Sequence, residues 1–289
     1  MTGTRPSARD WTPEEDRLGF FGPDSVTWRV HADPVYSVGG LRALLLQALH
    51  PVAMDGVARN SVFRESPWQR LTRTAEYVDT LTFGTRREAI RQVRRVRGMH
   101  RRLGGTEQTT GRAYRVDDPD LLLWVHACQV DSLLDVARRA GVVTPAEADR
   151  YVAEQVVAAE LIGVDAGEVP ASVADLAAYF ERLRPVLVLT PDARDAWRFI
   201  ALPPMPRWVQ VLTPARPAWG SLASLAVATL PPWARRLASL PGLPVTDVAA
   251  TAALRAFRTG LLALPERARR SPVVRAGFER TGPAAALGA

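Results

Sequence analysis

The sequence contains no lysine and only one cysteine, Cys128. A single thiol cannot close an intrachain disulfide. Nor can it build a cysteine zinc or iron–sulfur site, which needs several thiolates. Metal chemistry must therefore rest on histidine and carboxylates, or on a cofactor that brings its own ligands. No run of about 18 uncharged apolar residues occurs, so no transmembrane helix is expected. The most apolar window, Leu222 to Leu230, is followed at once by Pro231 and Pro232. Residues 1–16 lack the apolar stretch of a signal peptide, and a cytoplasmic location is the expectation. Also missing are the HExxH zinc motif, the P-loop, the GxGxxG fingerprint and the GxSxG elbow. No histidine has a glutamate three residues before it, which excludes the Glu-x-x-His pairs of di-iron bundles.

What is present is an ordinary globular balance over 289 residues, 47% hydrophobic and 23% charged, enough for a sizeable core. All 37 basic residues are arginine and the formal net charge is +7. The excess is modest and scattered along the chain, so nucleic acid is not expected as the main partner.

Helix-start signals recur. Thr12-Pro13-Glu14-Glu15, Thr144-Pro145-Ala146-Glu147 and Thr190-Pro191-Asp192 each place a hydroxyl at the N-cap, proline at the first helical position and acid in the first turn. Thr85-Arg86-Arg87-Glu88 is a capping box, and Asp118-Pro119-Asp120 opens another helix. Apolar spacing then predicts helices over 41–49, from 85 to the glycines 104 and 105, over 121–140, 146–162 and 172–183, and a last one over 248–264. Sustained period-two alternation is absent, as are Asn-Gly and Asp-Gly hairpin signals. The expected class is all-α, one multi-helix domain over 1–289 enclosing a cofactor pocket, with a loose tail at 282–289. The proline-rich stretch 202–244 reads as connecting structure wrapped over the core, because Trp208, Trp219 and Trp233 need burial.

Four histidines, His31, His50, His100 and His126, are the natural carriers of chemistry. A lone histidine on an apolar face is more often a hydrogen-bonded core residue than a ligand. His100, however, lies in line with Val93, Val96 and Leu103. His126 lies mid-helix beside Leu122, Val125, Val130 and Leu133. Burial there favours neutral imidazole, the form a metal ligand requires. Haem iron is commonly held by one such helical histidine, with the macrocycle against apolar side chains such as Leu122 and Val125. Arg97, three residues before His100, borders the same face and suits a propionate or an oxygen-derived intermediate. His50 precedes Pro51, where a helix ends or bends, and either bonds freed carbonyls or faces the cavity.

Several segments together resemble a known family. They are Gly22-Pro23-Asp24-Ser25 with Trp28, Leu-Leu-Leu-Gln-Ala-Leu-His-Pro at 44–51 with Gly56-Val57, Val96-Arg97-Gly98-Met99-His100, Gly111-Arg112-Ala113-Tyr114, and Asp118 through Ala127. In order and spacing they are similar to the MpaB-like oxygenases, distant relatives of the latex-clearing rubber oxygenases, over roughly residues 15 to 245. The resemblance implies an all-helical fold holding haem b, with His126, in the context Trp124-Val125-His126, as axial iron ligand. It implies an oxygenase acting with dioxygen on an apolar or prenyl-like substrate. Arg97 and His50 are then the candidate catalytic residues, and His126, His100, Arg97, Val125 and Leu122 the candidate haem-binding ones. The distal lysine of the rubber oxygenases has no counterpart in this lysine-free chain. The alternatives are a non-catalytic or peroxidase-like haem protein, and a basic helical nucleic-acid- or partner-binding protein. The all-α reading sets a bound for far-ultraviolet circular dichroism: strand content should stay below about 15%, well under the usual share for globular proteins.

Overall fold

A computed structural model describes residues 11–60, 66–108, 111–240 and 244–282. The described residues are almost wholly helical. Helices α1 (Pro13–Leu18), α2 (Val26–Ala32), α3 (Tyr36–Gln47) and α4 (Pro51–Asn60) lead into a helical hairpin, α5 (Pro67–Phe83) and α6 (Arg86–His100). A two-stranded ribbon follows, β1 (Gly104–Thr106) antiparallel to β2 (Ala113–Arg115), with Gly105 opposite Tyr114. Then come α7 (Pro119–Arg139), α8 (Pro145–Glu154), α9 (Val156–Ile162), α10 (Val173–Leu183), α11 (Pro191–Ala201), α12 (Arg207–Leu212), α13 (Ala215–Ala228), α14 (Pro232–Leu237), α15 (Pro244–Leu262), α16 (Glu266–Arg269) and α17 (Pro272–Thr281).

The caps form where the sequence signals place them. Thr12, Thr85 and Thr144 each close a capping box with the glutamate three residues on, and Thr190 accepts from the Ala193 amide. Glycine at position 141, with φ +76°, ends α7 as a left-handed residue. Asp118 departs from this pattern. Its carboxylate accepts from the Arg115 amide, so it ties the ribbon to the start of α7 rather than capping the helix.

Helix α7 is the centre of the fold. Buried residues point from it in almost every direction, Leu122, Leu123, Trp124, Ala127, Cys128 and Leu133 among them. Its main partner is α3, and the two helices meet at Gly39, where an added Cβ would lie 2.7 Å from a Leu133 methyl and 3.3 Å from the Ser132 carbonyl. The Trp124 indole donates to the Gln47 carbonyl at 3.0 Å, and the Gln47 amide donates to the Val125 carbonyl at 3.0 Å, locking the end of α3 to α7.

Four expectations change. The helix foreseen over 146–162 is two helices, because Glu154 and Gln155 are drawn across to α2. The Glu154 carboxylate accepts from the Val26 and Thr27 amides, and the Gln155 amide donates to the Thr27 hydroxyl. The α6 helix stops at His100, and the glycines beyond it enter a ribbon packed on α4 through a Tyr114–Asp55 hydrogen bond of 2.7 Å. The arginine-rich end holds a further helix, α17, capped by Ser271, whose Phe278 stacks near Trp28 and Phe83. Trp219 and Trp233 pack as expected, but Trp208 is 64% exposed and is not buried over the core. Of the tail expected from 282, residues 283–289 lie outside the described residues.

The adjacent glycines of α3 should respond oppositely to substitution. Gly39→Val must push α3 off α7 and should cost about 1–3 kcal/mol, as overpacking does. A Cβ at Gly40 meets nothing within 4 Å. Gly40→Ala should therefore stabilise by up to about 1 kcal/mol, the helical penalty of glycine. Urea midpoints read both, and a tolerated Gly39→Val would remove the close approach as a constraint.

Candidate functional site

The four histidines divide into two bonded and two unbonded rings. His31 is buried in α2, its Nδ1 2.7 Å from the Thr82 hydroxyl and its Nε2 3.2 Å from the Tyr151 hydroxyl. Burial drops its pKa to about 3. It is a satisfied core histidine. His50 sits at the α3–α4 turn, where its Nδ1 accepts from the Ala53 amide at 3.3 Å and its ring lies 5.8 Å from Trp124. Its pKa is lowered by burial and by the Arg112 charge.

His100 and His126 are different. The His100 Nδ1 is buried without a hydrogen-bond partner, and burial lowers its pKa against the pull of Asp117. The half-buried His126 makes no hydrogen bond among the described residues, and burial alone drops its pKa to about 4. Buried polar groups are nearly always bonded, so the unpartnered Nδ1 of His100 is unusual.

Arg97, His100 and Leu122 come together in the fold. With Arg101, Asp117, Ile162 and Gly163 they line a cavity of about 60 Å³. His126 lies one helical turn along α7 from Leu122, on the same side of that helix. The half-buried Arg97 donates to the Leu161 carbonyl at 3.3 Å, at the carboxyl end of α9. Its guanidinium lies over Gly163, whose φ of +124° favours glycine. The same charge opposes burial at Tyr77 on α5, whose pKa is still pushed up to about 12. Val125 faces outward, 41% exposed, and His50 does not line this cavity.

Reasoning from the sequence missed the α9 contribution and Asp117. The glycine after a helical run marked Gly163 as a helix end, but nothing local says that this end crosses α6. A second opening, about 390 Å³, lies at the far end of α7 among Asp135, Arg138, Arg139, Val143 and Pro145, and no histidine lines it. Among the described residues, no group of three or more histidine, cysteine, aspartate and glutamate side chains is placed to hold a bare metal ion.

The family model for the catalytic domain of ER-bound oxygenase mpaB/B′ and rubber oxygenase matches residues 28–262. The chain belongs to this oxygenase family. No curated protein and no solved structure matches it. The mpaB/rubber oxygenase match takes in the cavity, all three helices around it and all four histidines. It runs on through α15, beyond the core expected to end near residue 245. Helix α17 lies outside the match, although it packs on α5. No helix among the described residues is long and apolar enough to cross a membrane.

The His31 shift makes stability pH-dependent. Its folded pKa lies below its unfolded one, so the stabilisation is full above about pH 6.5 and is lost as the unfolded chain takes up a proton. Between pH 6.5 and 5 the loss should be about 2 kcal/mol. Urea unfolding at pH 7.5 and 5 should show a smaller pH effect in His31→Asn than in the wild type. An undiminished effect would assign the acid sensitivity to other groups.

Proposed function

We propose that the chain is a haem b-dependent oxygenase acting with dioxygen on a small apolar or prenyl-like substrate, at the junction of α6, α7 and α9. Membership of the oxygenase family supports the reaction class. The observation that carries the cofactor is the buried, unpartnered Nδ1 of His100 on α6, beside an α7 whose half-buried His126 makes no hydrogen bond among the described residues. A hydrogen-bonded core histidine, the ordinary alternative, describes His31 and fails for these two. His126 is the proposed axial ligand. Leu122 is an apolar wall, and His100 and Arg97 are polar groups for a carboxylate or an oxygen-derived species. His50 and Val125 are less central: one is held by Ala53 and Trp124, and the other faces outward.

The donor chemistry suits haem and the space does not. A cavity of about 60 Å³ falls far below the roughly 300–1,000 Å³ of small-molecule sites. Arg97 and the end of α9 fill the room beside His100. Loading a macrocycle there requires α9 to part from α6, with loss of the Arg97–Leu161 hydrogen bond.

Protein made with ample haem should carry a Soret band. His126→Ala should fold and lose it, whereas His50→Ala should keep it. An unchanged band in His126→Ala would move the iron to His100, and a colourless wild type would remove haem from the reading.

A further inference from the structure

Between Asp195 and Asp247 the sequence holds no carboxylate, but it holds five arginines, Arg198, Arg207, Arg216, Arg235 and Arg236. This acid-free stretch also contains the two most exposed large apolar side chains among the described residues, Val211 and Leu212, and further ones beside them. Leu202 is 65% exposed, Trp208 64%, Val211 78% and Leu212 77%. Trp208, Val211 and Leu212 sit at spacings of three and four on α12, so they share one helical face. Helix α12 has no buried residue. Single exposed apolar residues are normal, but a cluster crowned by tryptophan is not.

The cluster stands on an anchored base. The Trp68 indole donates to the Pro204 carbonyl at 2.7 Å and the Trp219 indole to the Ile200 carbonyl at 2.7 Å. The two rings meet edge to face at 4.8 Å. Arg216 donates to the Pro203 carbonyl and Gln210 to the Met205 carbonyl. Two tryptophans thus hold the segment by their indole hydrogen bonds, Trp68 while still 38% exposed, and Trp208 points to water. Arg207, beside it, has no ion-pair partner among the described residues.

We propose that this face docks the protein peripherally onto an anionic lipid surface, with Trp208, Val211 and Leu212 entering the headgroup–acyl boundary and Arg207 meeting lipid phosphates. Tryptophan with aliphatic neighbours and arginine, free of acid, is the composition of an interfacial anchor. A second copy of the chain fits less well. A two-fold interface sets the same patch against itself, so Arg207 of each copy enters an interface to which the patch brings no carboxylate. The docking stands whether or not the chain holds haem.

The test is co-sedimentation of the full chain with vesicles of phosphatidylcholine, alone or mixed with phosphatidylglycerol, at low and high salt. The wild type should bind the anionic vesicles at low salt and weakly at high salt. The double variant Val211→Glu/Leu212→Glu alters only exposed side chains, and circular dichroism checks its fold. It should lose binding by roughly tenfold or more, as should Trp208→Ser with Arg207→Glu. Wild-type protein that stays in the supernatant with anionic vesicles overturns the proposal, as does a double variant that binds equally well. Sedimentation velocity showing a wild-type oligomer that the double variant lacks, without vesicle binding, assigns the face to a second copy instead.

Discussion

The guanidinium of Arg42 is 3% exposed and lies where three parts of the chain meet. It donates to Asp131 at 2.7 Å and to the Ser132 hydroxyl at 2.8 Å, both on α7, and to the Thr229 carbonyl at 3.0 Å, at the end of α13. Asp135 lies 3.8 Å away. Burial works against this charge, and the two carboxylates outweigh it, so Arg42 stays an arginine cation with a raised pKa. Buried charges are tolerated only when paired and fully bonded. The network therefore fixes how far α3, α7 and α13 are rotated about their axes, because any other rotation strands the charge. Gly39, one turn before Arg42, lets the helix backbones approach closely enough for these bonds to form.

The position of the candidate site follows from that arrangement. Once α3 covers one side of α7 and α13 packs on α3, Leu122 is left to line the cavity with residues of α6 and the end of α9. Glu154 and Gln155 bind α2 and end α8, which sends α9 off as a separate short helix across α6. Its carboxyl end then receives Arg97. The closed cavity and the unpartnered histidines are thus two consequences of one packing solution. The Arg97 side chain occupies the room beside His100.

The acid-free segment belongs to a different physical regime. The indole hydrogen bonds from Trp68 and Trp219 to its backbone make it part of the fold, while α12 contributes nothing to the core. Exposing a tryptophan and three aliphatic side chains gains nothing for folding in water, where burial of apolar area is the main driving force. The free energy of that face is available for association.

Helix starts, the all-helical class and the family were decided by local sequence. A threonine or serine N-cap, proline at the first turn and glutamate three residues on need only their own neighbours to work, which is why Thr12, Thr85 and Thr144 read correctly. The oxygenase family was equally legible, since order and spacing of short segments are properties of the chain. Arg97, His100 and Leu122 could be nominated from periodicity because a helical face is a local property too. What could not be read were relations between distant segments. Nothing near Gln155 announces that Thr27, 128 positions away, will take its amide and break the helix. Nothing near Arg97 announces the Leu161 carbonyl. The same composition rule that rightly buried Trp219 and Trp233 misplaced Trp208. Which tryptophan finds a pocket depends on the pockets left once α3, α7 and α13 have packed, and those exist only in three dimensions.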